Sequence, residues 1–143
     1  MNARLFFHYV SYLQYPLMIV GMYFCVRPFF GSMDNFLVDY NKCLIFLGIA
    51  LSFSCLQDTQ KTQNNFSKKI WQDPKKGRRF LFLMAFLTIA ILVFGLIEYF
   101  KVNDSQLKEM SFGFIVLGIG MLGMLKSAIE MFENHRLDKN PPT

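Results

Sequence analysis

Charge is missing from three long stretches of this chain. Leu81 to Ile97 has no charged residue, Met110 to Leu125 has none, and Leu5 to Val26 holds only His8 as a group that titrates near neutrality. Apolar runs of about 20 residues match a hydrocarbon layer of about 30 Å. A water-soluble fold would leave such helices nothing to bury against on most sides, so that class is excluded. Cysteine chemistry is equally thin. Cys25, Cys43 and Cys55 form no Cys-x-x-Cys and have no neighbouring histidine, which argues against a disulfide framework and against zinc. A bridge between Cys25 and Cys43 is conceivable, since both fall near the outer ends of adjacent spans, but free thiols are expected. His8 and His135 stand alone, so no metal site is indicated. Ser52 and Ser54 have no His or Asp partner in the same membrane layer, which leaves nucleophilic catalysis without support. No catalytic group and no cofactor site is expected.

The charge that is present is concentrated. The formal net charge is +5, and the 58–79 loop alone carries Lys61, Lys68, Lys69, Lys75, Lys76, Arg78 and Arg79 against Asp58 and Asp73. A basic loop between two apolar hairpins is retained on the cytoplasmic side of a membrane. Of the 15 Lys and Arg residues, this orientation leaves only Arg27, Lys42, Lys101 and Lys108 outside. Both termini are then cytoplasmic, and the loop faces anionic lipid of the inner leaflet. The N-terminal segment lacks a small-x-small cleavage site and reads as a retained first span.

The expected fold is all-α: a bundle of four transmembrane helices in two antiparallel hairpins, forming one membrane domain. The spans are placed at about 5–29, 36–57, 80–99 and 110–133. Pro16 predicts a kink near Leu13 to Pro16. Gly31 to Asn35 and Lys101 to Ser105 read as short turns, and the tail NHRLDKNPPT as a mobile end. Span two is the least apolar. Its run from Cys43 to Leu56 is 14 residues long, too short to cross alone, so Asp39, Asn41 and Lys42 must lie at the outer leaflet.

Three groups of residues are candidates for a role. Arg27, Asp39, Lys42 and Glu98 should share the outer boundary, and they read as a neutralised structural clamp more readily than as an ion relay, which normally needs a carboxylate at mid-membrane. Asn41, Gly48, Ser52 and Cys55 line one face of span two, and Gly113, Gly120, Gly123 and Ser127 one face of span four. Small residues on one stripe let membrane helices approach closely. The same stripe explains why Gly118, Gly120 and Gly123 match the letters of a dinucleotide fingerprint without a strand before them. Third, Phe66, Ile70 and Trp71 stand among Lys68, Lys69, Lys75, Lys76, Arg78 and Arg79, with Asp73-Pro74 breaking the helix. That pattern predicts a short amphipathic segment lying on the inner leaflet, with Trp71 at headgroup depth. Nucleic acid is not an expected partner. Lys126 and Glu130, four apart, should pair on the surface of span four.

The run Leu56 to Asn64, followed by SKKIWQDPKKGRRF, resembles the central loop of small four-span membrane proteins of Bacteroidota-type bacteria. The resemblance implies a bacterial inner membrane and no particular activity. The expected function is that of a non-enzymatic accessory or scaffold subunit bound to other membrane-protein subunits. A small transporter or channel using the outer polar residues is the alternative.

Overall fold

The computed structural model describes residues 3–30, 35–57, 59 and 65–139. The turn at 31–34, Asp58, Lys61 and the last four residues lie outside that set, as does the side chain of Phe66. The described residues form six helices: α1 (Ala3–Ser11), α2 (Gln14–Phe30), α3 (Phe36–Ser54), α4 (Asn65–Gln72), α5 (Pro74–Lys101) and α6 (Ser105–His135). Four segments are long and apolar enough to cross a membrane: Leu5–Phe30, Phe36–Ser54, Pro74–Lys101 and Leu107–His135. The all-α, four-span reading holds.

The first span is broken where proline predicts it. Pro16 has no N–H to donate, and the backbone tightens into three-residue turns, with Tyr12 N bonded to Tyr9 O and Leu13 N to Val10 O, both at 3.1 Å. Buried Ser11 caps the break by donating to the carbonyl of His8 at 2.7 Å. The rings of Tyr9, Tyr12 and Tyr15 run along this segment, each within 6.4 Å of the next.

The third span begins six residues earlier than its apolar run. Asp73 accepts hydrogen bonds from the backbone N–H of Lys75 (2.9 Å) and Lys76 (3.2 Å), and Pro74 occupies the first helical turn. An Asp cap followed by proline is a strong helix start, so Asp73-Pro74 both ends α4 and opens α5. Lys75, Lys76, Arg78 and Arg79 consequently stand on the first two turns of a transmembrane helix, not in a loop.

The spans lie side by side. The α1–α2 unit packs on α3, α3 on α6, and α6 on α5, while α4 sits over the end of the α5–α6 hairpin. No substantial packing joins α2 to α5 or α6. The central seam is formed by α3 and α6, which run parallel. Asn41 faces Gly113, Gly48 faces Gly120 and Cys55 accepts from Ser127, a constant offset of 72 residues. Steps of seven on both helices keep the same faces together over three contacts. A Cβ on Gly120 would stand 2.2 Å from the carbonyl oxygen of Gly48, and one on Gly48 would be 2.7 Å from the backbone of Val116 and Leu117. Backbone touches backbone here, and only glycine permits it.

Candidate functional site

Two places on the molecule gather polar or basic groups, one at each end of the helices. The far end holds the expected charge cluster. Arg27, in the last turn of α2, meets Asp39 in the first turns of α3, with Nη1 3.2 Å from Oδ1. The geometry follows from the antiparallel hairpin, which brings the end of one helix beside the start of the next. Asp39 is 5% exposed, whereas the Arg27 side chain is 51% exposed. The carboxylate is therefore inside and its partner reaches in from the surface. Lys42 joins this end differently, its ammonium resting 5.4 Å from the centre of the Phe24 ring. Cys25 and Cys43 lie within hydrogen-bonding reach across the same α2–α3 seam, and all three cysteines are free thiols.

Glu98 does not belong to the cluster. It lies near the end of α5, an edge helix, and α6 and α3 intervene between it and Arg27. All four residues lie toward the same end of the helix row, but lateral order separates Glu98 from the rest. Of the four residues expected to form a clamp, Arg27 and Asp39 are paired, Lys42 rests on Phe24 of the same α2–α3 seam, and Glu98 lies apart.

The two small-residue stripes are partners of one another. Gly48, Gly113, Gly120 and Gly123 all pack in the α3–α6 seam, and Ser127 Oγ donates to the carbonyl of Cys55 at 3.2 Å. Ser52 departs from the expectation: it is exposed, and its hydroxyl turns back to the Gly48 carbonyl of its own helix at 3.0 Å. A step of four carries it about 40° beyond Gly48 around the helix, whereas the step of seven to Cys55 falls only about 20° short of two turns. Gly118 packs instead against Leu92 of α5, and Gly95 against Phe114 and Ile115 of α6. All three glycines of the fingerprint letters are thus used in helix packing.

At the opposite, basic end, α4 folds down onto the α5–α6 hairpin. Trp71 is 7% exposed and packs with Met84, Ala128 and Phe132, its ring edge-on to Phe80 at 5.5 Å. Trp71 is therefore covered by its own hairpin and is not presented on the outer surface of α4. Only Asp73 separates α4 from α5, so the apolar side of α4 meets its own hairpin before it can meet lipid. Gly77 makes room for the arrangement, since a Cβ there would fall 2.3 Å from the Phe132 ring. Lys68 and Lys69 stay exposed on α4, as do Lys75, Lys76, Arg78 and Arg79 on α5.

The expected mobile tail is tied to the same end as far as Lys139. Leu137 N donates to Gln72 O at 3.2 Å, joining the end of α6 to the end of α4. Arg136 pairs with Glu133 at 2.9 Å and with both oxygens of Asp138, and Lys139 pairs with Glu133 at 2.8 Å. The guanidinium beside Asp138 holds that carboxyl below its ordinary value, and Asp138 in turn raises Arg136. Lys126 and Glu130 form the expected surface pair at 2.9 Å.

Beneath α4 lies a cavity of about 430 Å³ between α3, α5 and α6. Its apolar wall includes Trp71, Phe80, Met84, Leu87, Met121 and Met124, and its polar edge is made by Ser54, Gln57 and Thr59. Of these, reading the sequence singled out Trp71 and weighed Ser54, each for another role, and passed over the rest. The available signal was Met121, Met124 and Met131, whose spacings of three and seven place them on one face of α6. Among the described residues no group of three His, Cys, Asp or Glu side chains could hold a metal ion. Comparison with known proteins found no matching family model, no matching curated protein and no matching solved structure.

Proposed function

We propose that this chain is a non-enzymatic scaffold, an accessory subunit of a larger assembly in a bacterial inner membrane, with both termini and the basic end in the cytoplasm. The observation that supports this reading is the open row of helices. The close-approach residues of α3 and α6 are occupied by each other, so they offer no surface to a fifth helix. What remains outward are the free flanks of the two edge helices, α5, where Phe82, Phe86, Ile89 and Phe100 are exposed, and α2, where Ile19, Tyr23 and Phe30 are exposed. Large rings on the flank of an edge helix suit either lipid or the helices of another subunit, and van der Waals packing drives such association in a bilayer.

The transporter alternative draws on Asp39, a carboxylate buried at the far end. Its weakness is lateral: Glu98 is two helices away, and Asp39 is neutralised by its pairing with Arg27. Affinity purification from native membranes in mild detergent, followed by mass spectrometry, separates the two. A scaffold co-purifies with larger membrane subunits at fixed stoichiometry. Recovery of the chain alone, with solute movement in liposomes that Asp39→Asn abolishes, would overturn the scaffold reading.

Orientation is tested independently. In a chain whose own cysteines are replaced by alanine, Asp104→Cys should label with a membrane-impermeant thiol reagent in intact cells, and Lys68→Cys should not. The reverse pattern defeats the proposed topology.

A further inference from the structure

The cavity at the basic end has a wall, a rim and an open side, each of a different chemistry. We infer that it binds one anionic phospholipid, with part of an acyl chain inside and the phosphate held between Lys76 and Arg79. This goes beyond the scaffold reading and does not depend on it.

The size fits: about 430 Å³ lies within the roughly 300–1,000 Å³ of small-molecule sites. Phe80 and Leu87 both line the cavity, and seven residues of helix between them give a depth of about 10 Å. That takes the first part of an acyl chain and leaves its end in the bilayer. Methionines on the wall, Met84, Met121 and Met124, are unbranched and adapt to a flexible apolar guest. Leu83 and Leu87 line the cavity and are also exposed on the outer surface, so it opens sideways toward the hydrocarbon layer.

The polar groups lie where a headgroup would be. Gln57 and Thr59 are at the rim, just beyond the end of α3. Lys76 and Arg79 precede Phe80 and Leu83 by four residues on α5, which sets each cation one helical turn above a wall residue on the same face. Among the described residues the Lys76 ammonium pairs with Asp73, at 3.4 Å, with 69% of its side chain exposed, and Arg79 is exposed. A weakly engaged cation can turn to a phosphate at little cost. An apolar slot open to lipid, topped by two cations, selects a negatively charged lipid over a zwitterionic one.

Trp71 is the chain's single tryptophan and it lines the cavity, so its fluorescence reports occupancy without labelling. The delipidated full chain is titrated with phosphatidylglycerol or phosphatidylcholine, each brominated on the acyl chain. Two phosphate-facing cations predict half-maximal quenching by phosphatidylglycerol at roughly a tenth of the mole fraction needed for phosphatidylcholine. The double variant Lys76→Gln, Arg79→Gln should abolish that preference and leave quenching by phosphatidylcholine unchanged. Ser54→Phe, which puts a ring into the cavity, should reduce quenching by both lipids. Equal quenching by the two lipids in the native chain would mean ordinary surrounding lipid only and would overturn the site. A preference that survives the double variant would remove the phosphate from Lys76 and Arg79 and also overturn it. Soluble glycerol phosphate competing as well as phosphatidylglycerol would show that the acyl chain contributes nothing, with the same consequence.

Discussion

The seam between α3 and α6 and the seams on either side of it are built on different rules. In the centre, backbone meets backbone at Gly48 and Gly120. At the flanks a glycine meets a side chain: a Cβ added at Gly21 would stand 3.1 Å from the Leu47 side chain across α2–α3, and one added at Gly118 would stand 2.5 Å from the Leu92 side chain across α5–α6. Aromatic rings fill the rest, with Phe24 stacked on Phe46 at 5.7 Å and Phe94 edge-on to Phe114 at 5.2 Å. A side chain can rotate to admit an added methyl group, whereas a carbonyl inside a helix cannot. The central seam therefore fixes how the two hairpins meet, and the flanking seams tolerate change.

The sharpest way to break this contrast is Gly120→Ala. The new Cβ would sit 2.2 Å from the Gly48 carbonyl oxygen, so the helices must separate. A loss of about 3 kcal/mol or more is expected, at or above the upper end for overpacking. Chemical unfolding in detergent measures it, and a loss below about 1 kcal/mol would show that the seam is not backbone-tight.

Asp39→Asn tests the one flank that carries an ion pair. Leaving a buried group poorly satisfied costs about 1–3 kcal/mol. Arg27→Gln in the same chain should recover part of that loss, because the guanidinium left unpaired by Asp39→Asn is then removed. The exposure of Arg27 tempers the recovery. Strict additivity in thermal unfolding would show that the 3.2 Å contact carries no coupling. Glu98→Gln should change stability by less than about 0.5 kcal/mol in either background, in keeping with its separate position.

At Gly21 two small effects oppose each other. Alanine gains about 1 kcal/mol of helix propensity, and Leu47 must shift by a few tenths of an ångström. The net change should stay within about 0.5 kcal/mol. A large loss at Gly21 would erase the distinction between centre and flank.

The smallest expected effect is local. Hydrogen bonds from the backbone N–H of Lys76, the largest cause, and of Lys75 hold the Asp73 carboxyl below its ordinary value of 3.8. A carboxyl depressed in the folded state contributes its stability above the ordinary value and loses it as pH falls through the depressed one. Asp73→Ala should accordingly speed amide exchange in the first turn of α5 at neutral pH. The difference from the native chain should vanish once Asp73 is protonated. An unchanged exchange rate at neutral pH would mean that Pro74 alone starts the helix.

The four spans and both small-residue stripes were legible in the sequence because each is a property of one helix. Length and charge-free composition define Leu81 to Ile97, and steps of seven align Asn41, Gly48 and Cys55 on a face. Lateral order was not legible, because nothing in a single helix says which neighbour its stripe will meet. Glu98 was placed at the right end and on the wrong side for that reason. What covers Trp71 was not legible either. Its amphipathic segment was evident, but periodicity does not distinguish lipid from the protein's own hairpin as the cover. The cavity went unseen because methionine on a helix face reads as ordinary packing until two other helices leave a gap beside it.

The constant offset of 72 residues has a consequence in terms of symmetry. Exchanging α2 with α5, and α3 with α6, leaves the pattern of neighbours unchanged, as a pseudo-dyad along the central seam would require. The chain is thus arranged as a dimer of hairpins fused through α4. Fusion makes the partners unequal in sequence: position 39 is a buried aspartate, while its counterpart 72 residues on is buried Ser111. A hairpin expressed without its mate would have only its own copy to pair with. In the intact chain, the tether raises the effective concentration of the unlike mate and so keeps a carboxylate on one side of the central seam and a hydroxyl on the other, where a symmetric dimer would have two of one kind.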